Sequence, residues 1–204
     1  MQEVLAIIIS YFIGGILTAG VVASLKRVDL TKEGSGNPGA TNAFRIFGPF
    51  FGGVVLLGDV VKGVLGALVG QWLGGGNIAV AALCGLAVVA GHNWPLFYKF
   101  RGGKGMATSV GAIIILVPET LLFLVPIWVL VVAVSRYVSL GSIMAALALP
   151  VATFFFYPQQ GFLLLFAVVA SVLGVYRHRA NIQRLLAGEE NKLTLPGKTG
   201  GKIK

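Results

Sequence analysis

Three properties of this 204-residue sequence predict an all-α, polytopic membrane fold. The chain is 56% hydrophobic and only 11% charged, with a mean hydropathy of +0.89. A soluble domain needs more charged surface than that. Its apolar residues fall into seven runs, 3–25, 50–72, 77–93, 105–120, 121–136, 140–158 and 161–176, and a bilayer-spanning helix needs about 20 mostly apolar residues. Finally, every Lys and Arg outside those runs falls on one side of the membrane that the runs would cross.

Taken in order, the first run lacks a basic n-region and is too long for a signal peptide, so it is expected to stay as a span. Lys26, Arg27, Lys32 and Arg45 separate it from the second run. That run carries Asp59 and Lys62 at i, i+3. Charges at membrane depth should pair or face a cavity, so the two read either as an ion pair bracing the bundle or as a charged lining of a substrate pocket. The third run contains the lone Cys84, which excludes an intrachain disulfide and a cysteine-based metal site. Lys99, Arg101 and Lys104 precede the fourth run, and Arg136 separates the fifth from the sixth. The seventh run is followed by Arg177, Arg179, Arg184 and Lys192. Runs three, four and seven lie near the lower limit of about 17 residues for a span.

The opposite connections, residues 74–77, 118–119 and 157–161, hold no Lys or Arg. Positive residues stay on the cytoplasmic side, which predicts seven transmembrane helices with the N-terminus outside and the C-terminus inside. The net charge of +9 therefore reads as topology and as attraction to anionic lipid or an anionic substrate; nucleic acid is not an expected partner. Residues 1–193 read as a single membrane-embedded domain and 194–204 as a disordered tail. Gly14-Gly15, Gly52-Gly53, Gly63, Gly66 and Gly70 suit close helix–helix packing.

Three polar islands share the basic face. The first, residues 31–45, holds Gly34, Gly36 and Gly39, where the backbone approaches a ligand closely and forms anion-binding nests. Ser35, Asn37, Thr41 and Asn42 add neutral donors, and Arg45 adds a fork suited to phosphate. The plain alternative is a membrane loop with turn residues, and the first island contains no Walker A motif.

In the second island, Arg101-Gly102-Gly103-Lys104-Gly105 feeds directly into run four. A glycine turn with a lysine at a helix N-terminus is an anion site by dipole and by charge. Trp94, Phe97, Tyr98 and Phe100 read as an interfacial aromatic belt. His92-Asn93 reads as a brace for this loop or as a direct participant. The third island is split. Ser139 and Ser142 open run six and resemble an N-cap, and Ser142 is also a candidate substrate-binding residue. His178 and Asn181, at i, i+3, share a face if run seven continues as helix; His178 is otherwise an ordinary interfacial histidine. Arg177, Arg184 and Glu189 read as topology and surface-pairing residues.

Gly-Ser-Gly-Asn-Pro-Gly-Ala-Thr-Asn at 34–42 with Arg45, Gly-His-Asn at 91–93 with Arg-Gly-Gly-Lys-Gly-Met-Ala-Thr at 101–108, and His178-x-x-Asn181 with Gly188-Glu189 closely resemble the bacterial PlsY-type glycerol-3-phosphate acyltransferases. The resemblance covers residues 1–192. It implies a multi-pass enzyme of the bacterial inner membrane with its active site at the cytoplasmic face. Such enzymes transfer an acyl group from acyl phosphate to sn-glycerol 3-phosphate, giving 1-acylglycerol 3-phosphate and phosphate, in phospholipid synthesis. Carried over, Ser35 and Arg45 match functional positions of the first motif. The Gly102–Gly105 loop with Lys104 matches the glycerol-phosphate-binding second motif. His178 and Asn181 match functional positions of the third motif, and Glu189 a structurally important one. Acyl phosphate, glycerol 3-phosphate and membrane lipid are thus the expected partners.

The residues support that reading independently: two separate glycine-rich anion sites suit two phosphate-bearing substrates. No metal cluster, dinucleotide fingerprint or serine-protease-like triad is visible, so neither metal nor cofactor is expected. The alternative from another class is an organic-phosphate transporter. Transporter sites usually lie near the midplane, at broken helices within repeats, whereas these islands gather at one face.

Overall fold

A computed structural model describes residues 1–193; the expectation for 194–204 lies outside the described residues. Among the described residues the chain is all-helical. Nine α-helices run in the order α1 (Gln2–Gly15), α2 (Thr18–Lys26), α3 (Ala40–Leu73), α4 (Ile78–Asn93), α5 (Met106–Leu116), α6 (Leu121–Ser135), α7 (Val138–Phe156), α8 (Gly161–Arg177) and α9 (Arg179–Leu186).

The pattern of burial is that of a protein in lipid. Val4, Ile8, Leu57, Leu130, Phe155 and Val172 are exposed on the outside of the bundle, while Asp59, Lys62, His92, Asn93 and Thr108 are buried. Small residues bring the helices together. A Cβ at Gly63 would overlap the Thr108 carbonyl and one at Gly111 the Val60 carbonyl, so α3 and α5 touch backbone to backbone. Gly14 meets Val88 and Gly91 meets Tyr11 in the same way across α1 and α4. Phe166, fully buried, fills the middle of the core formed by α4, α5, α7 and α8. Of the other expected packing glycines, Gly66 and Gly70 face Val88 and Cys84, but nothing lies near Gly53.

Met1–Glu3 lie beside Leu73–Gly75. Not every predicted run is a full span. Five segments are long and apolar enough to cross a membrane: Gln2–Lys26, Ala40–Leu73, Ile78–Tyr98, Pro118–Ser135 and Val138–Phe156. The bent pair α8–α9 would be a sixth. The expected fourth span is corrected: α5 has 11 residues, a rise of about 16 Å against a hydrocarbon core of about 30 Å. Its predicted run lost its ends to the Gly102–Gly105 loop and to a 3₁₀ turn at Pro118–Thr120.

Two breaks were not foreseen. The first run is interrupted at Ile16 and Leu17, both extended (ψ 100°). A broken helix exposes backbone groups that lipid cannot satisfy. Lys62 answers this by donating from Nζ to the Ile16 carbonyl at 2.9 Å. Asp59 Oδ1 accepts from Thr18 Oγ1 at 3.1 Å and pairs with Lys62 Nζ at 2.9 Å. The second break is in α3. Gly48 has φ 81° and ψ −179°, a region essentially closed to other residues, and Pro49 follows with no N–H to donate. The helix therefore starts at Ala40, ten residues ahead of the predicted run, and kinks where that run begins. Thr41, Asn42 and Arg45 sit on this short first segment rather than in a loop.

Candidate active site

The first island is organised by Asn42. Its buried side chain accepts from Ser35 N at 2.9 Å and donates to the Glu33 and Leu30 carbonyls at 3.0 and 3.3 Å. The expected role of Asn42 as a substrate donor is therefore corrected: its amide is engaged in shaping the loop. Gly34 and Gly36 take left-handed φ of 60° and 68° on either side of Ser35. Gly36 N donates to Glu33 O at 3.0 Å, and Gly39 N to Asn37 O at 2.9 Å. The nest's N–H groups are thus largely occupied. What the island presents outward is the Ser35 hydroxyl, Thr41 and the Arg45 guanidinium, all exposed, beside the half-buried Asn37. Gly39 precedes the first turn of α3 and leaves the first N–H groups of that helix free of intrahelical partners.

The second island is laid against the end of α4. Gly102 N donates to Asn93 O and Gly103 N to His92 O, both at 3.2 Å. A Cβ at Gly103 would strike His92 Nε2, and one at Gly105 would come within 2.6 Å of Asn93 Oδ1. Gly102 and Gly103, expected by resemblance in the substrate-binding loop, therefore have no N–H left for phosphate. The free donors are those of Lys104 and of the first turn of α5, which starts behind Gly105 in a left-handed conformation (φ 78°). His92 is the brace. It is buried, and its Nδ1 stands 3.7 Å from Asp59 Oδ1.

Lys104 is the charge on which the three islands converge. Burial, chiefly, lowers its pKa to about 8; Glu190 opposes that shift, and Arg184, Arg177 and Arg45 add to it. Residues of the first and third islands are therefore within electrostatic reach of the second. Thr31 and Pro38 also share an open cavity with Tyr98 and Arg101, which sets the first two loops side by side.

The third island is bent rather than continuous. α8 and α9 meet at 55°, with His178 at the corner. Its Nδ1 lies 2.8 Å from Gly174 O. A carbonyl only accepts, so Nδ1 carries the proton and Nε2 keeps its lone pair. Asn181 Nδ2 donates to Glu190 Oε1 at 2.7 Å. Ser139 Oγ donates to the same oxygen at 2.9 Å, and Arg184 Nε to Glu190 Oε2 at 2.8 Å. Burial alone would raise the Glu190 carboxyl, but these donors outweigh it and hold its pKa below the ordinary value.

Three readings change here. The structural carboxylate is Glu190; Glu189 is exposed and makes no side-chain bond among the described residues. Ser139 does not cap a helix but ties α7 to Glu190. Ser142, expected at the substrate, donates to Val138 O at 3.0 Å and accepts from Trp128 Nε1 at 3.4 Å, so it packs α6 on α7. Neither Glu190 nor Arg177 was singled out by the sequence. Two adjacent glutamates follow Gly188, whose φ of 73° decides which one turns inward, and a terminal arginine looks like any topology-setting charge.

The fold is that of a polytopic helical membrane protein in which three polar segments, two of them glycine-rich, meet around Lys104. The glycerol-3-phosphate acyltransferase family model matches residues 4–188, and the chain belongs to that family. It is 47% identical over 190 residues to glycerol-3-phosphate acyltransferase 2 of Moorella thermoacetica, covering 93% of this chain and 96% of that one. It is 43% identical over 194 residues to the glycerol-3-phosphate acyltransferase of Thermoanaerobacter pseudethanolicus, covering 95% and 96%. The crystal structure of PlsY (YgiH), an integral membrane glycerol 3-phosphate acyltransferase, in its glycerol 3-phosphate form superposes with TM-score 0.89 at 38% identity, covering 95% of this chain and 96% of that one. Its lysophosphatidic acid form gives 0.87 at 37% identity, with the same coverage.

Proposed function

We propose that this protein transfers a fatty acyl group from acyl phosphate to sn-glycerol 3-phosphate, releasing 1-acylglycerol 3-phosphate and inorganic phosphate. The observation that carries this reading is the Arg177 fork on the Gly102 and Gly103 carbonyls next to Lys104, which joins the third island to the second, with Arg45, Arg184 and Glu190 within electrostatic reach of Lys104. The site offers cations for two phosphates, next to surfaces that face lipid. The crystallographic relatives in glycerol 3-phosphate and lysophosphatidic acid forms support the acceptor and the product. The acyl phosphate donor is supported by the motif resemblance.

Lys104 and the first turn of α5 would hold the phosphate of glycerol 3-phosphate. Ser35, Thr41 and Arg45, with the first turn of α3, would hold the acyl phosphate. The acceptor hydroxyl then attacks the carbonyl carbon, the new C–O bond forms, and the bond to the leaving phosphate breaks. A mixed anhydride is already activated, so the enzyme's share is alignment and charge stabilisation. The hydroxyl proton goes to a phosphate oxygen, whose second pKa is about 6 in related esters. His178 Nε2 would orient that hydroxyl and is the side-chain alternative as acceptor. We place the site at the cytoplasmic face of a bacterial inner membrane, with the N-terminus out and the C-terminus in, because the opposite connections lack Lys and Arg.

The transporter alternative gains nothing from the fold. The one buried ion pair among the described residues, Asp59–Lys62, serves the α1–α2 break.

Purified protein given palmitoyl phosphate and glycerol 3-phosphate should release phosphate and lysolipid in equal amounts, with palmitoyl-CoA giving no product. EDTA should leave the rate unchanged, and no acyl group should be found on Ser35 by mass spectrometry. Absence of lysolipid from the palmitoyl phosphate reaction would reject the proposal.

A further inference from the structure

We propose that Arg177 is a positioning residue for the glycerol 3-phosphate site, setting the direction of the Lys104 backbone N–H through the Gly103 carbonyl. The inference rests on the functional reading above and assigns a role to a residue outside the three motifs.

Arg177 is the last residue of α8. Its Nη2 donates to Gly102 O at 2.8 Å and to Gly103 O at 2.7 Å, and its Nε donates to Gly103 O at 3.0 Å. The Trp94 ring lies 5.4 Å from the guanidinium carbon. The N–H groups of the same two glycines bind α4 through Asn93 O and His92 O. Both sides of this two-residue segment are therefore held, by α4 on one side and by α8 on the other.

The consequence for Lys104 comes from peptide planarity. The Gly103 carbonyl and the Lys104 N–H belong to one rigid trans unit and point in opposite directions. Drawing the carbonyl to Arg177 turns the Lys104 N–H away from it. That N–H has no backbone or side-chain acceptor among the described residues. It directly precedes the first turn of α5, whose leading N–H groups have no intrahelical partner, so that an anion drawn by the Lys104 charge could collect them together. Glycine at 102 and 103 makes this hold necessary. The packing against His92 and Pro95 allows no Cβ at either position, and a glycine pair without side chains is the segment freest to rotate its peptide planes. A lysine at 177 would offer a single ammonium where a planar fork now spans two carbonyls.

The test uses the full chain in nanodiscs, with Arg177→Gln and Arg177→Lys beside the wild type. Steady-state rates are measured against glycerol 3-phosphate and, separately, against palmitoyl phosphate. Loss of charge-assisted hydrogen bonds should raise the KM for glycerol 3-phosphate about tenfold to a hundredfold in Arg177→Gln, with a smaller rise in Arg177→Lys. The kcat and the KM for palmitoyl phosphate should stay within a few-fold of wild type. If Arg177→Gln is not recovered folded, the same split in Arg177→Lys decides the question. An unchanged KM for glycerol 3-phosphate, or a parallel fall in kcat with both KM values displaced, would overturn the role. Inactive wild type would reject the functional reading and this inference together; active wild type with unaffected variants would reject the inference alone.

Discussion

At the scale of single residues, the proposed function makes Lys104 the group whose state decides affinity. With its pKa brought to about 8, chiefly by burial, it is mostly charged at neutral pH and loses its proton as the pH rises through that value. Anion binding requires the charged form. The KM for glycerol 3-phosphate should therefore be nearly constant between about pH 6.5 and 7.5, above the second pKa of the substrate phosphate, and rise roughly tenfold per unit above pH ~8. Lys104→Arg should remove that alkaline limb, and Lys104→Ala should raise KM about tenfold or more at pH 7. A wild-type KM constant from pH 7 to 10 would exclude Lys104 as the anion-binding cation.

His178 makes the opposite kind of prediction. Its Nδ1–H is held by Gly174 O, leaving Nε2 as an acceptor for the substrate hydroxyl. His178→Gln should act mainly on KM and keep the shape of the pH profile. A sole general base would instead contribute about a hundredfold to ten-thousandfold in kcat. Loss of that size, with the pH dependence of kcat abolished, would make His178 the base.

At the scale of elements, the broken α1–α2 span and the Asp59–Lys62 pair are one construction. The pair's side chains are only 2% and 6% exposed, and each also satisfies a group at the break. Removing one partner leaves the other buried and uncompensated, which typically costs about 3–5 kcal/mol. Asp59→Asn should thus lower the thermal midpoint in detergent sharply. The double variant Asp59→Asn, Lys62→Met should recover part of that loss, because no lone charge remains; equal destabilisation of single and double variants would show that the break needs the hydrogen bonds rather than the charge balance. The spacing of Asp59 and Lys62 announced a pair. It could not announce the break, because nothing in an unbroken apolar run of 23 residues names the carbonyl that Lys62 will cover.

The kink in α3 is a contrasting case. Gly48-Pro49 is a visible breaker, yet a helix forms on both sides of it, so the first island divides between loop and helix. The short α5 follows from similar competition. Its apolar residues extend to Val117, but the glycine loop ahead of it pairs with the end of α4 instead of lengthening the helix.

For the whole molecule, orientation is the open quantity with the simplest readout. Single cysteines at positions 37 and 101, introduced with Cys84 replaced, should react with a membrane-impermeant thiol reagent only from the cytoplasmic side. Positions 75 and 160 should react only from outside. Labelling of 37 or 101 in intact cells would invert the assignment. The same arrangement explains why the site sits where it does: the passes return three polar segments to one end, and the α4–α8 contact carries the third island to the second.

By itself, the sequence determined the helical membrane class, five apolar spans and the first limb of the bent α8–α9 pair to within a few residues apart from the early start of α3, and the position of the three polar islands along the chain. These are properties of composition, run length and local motif, which a linear reading preserves. Only the tertiary structure decided which polar atoms remain available. Asn42, Gly102, Gly103 and Ser142 were expected to face substrate, but their donors are engaged by neighbours up to 12 residues away or on another helix. Glu190 and Arg177 gained their places through contacts spanning 51 and 74 residues. In a bundle surrounded by lipid, a backbone group has no water to pair with and must find its partner inside the protein, and which partner it finds depends on how the helices are stacked rather than on how the residues are spaced.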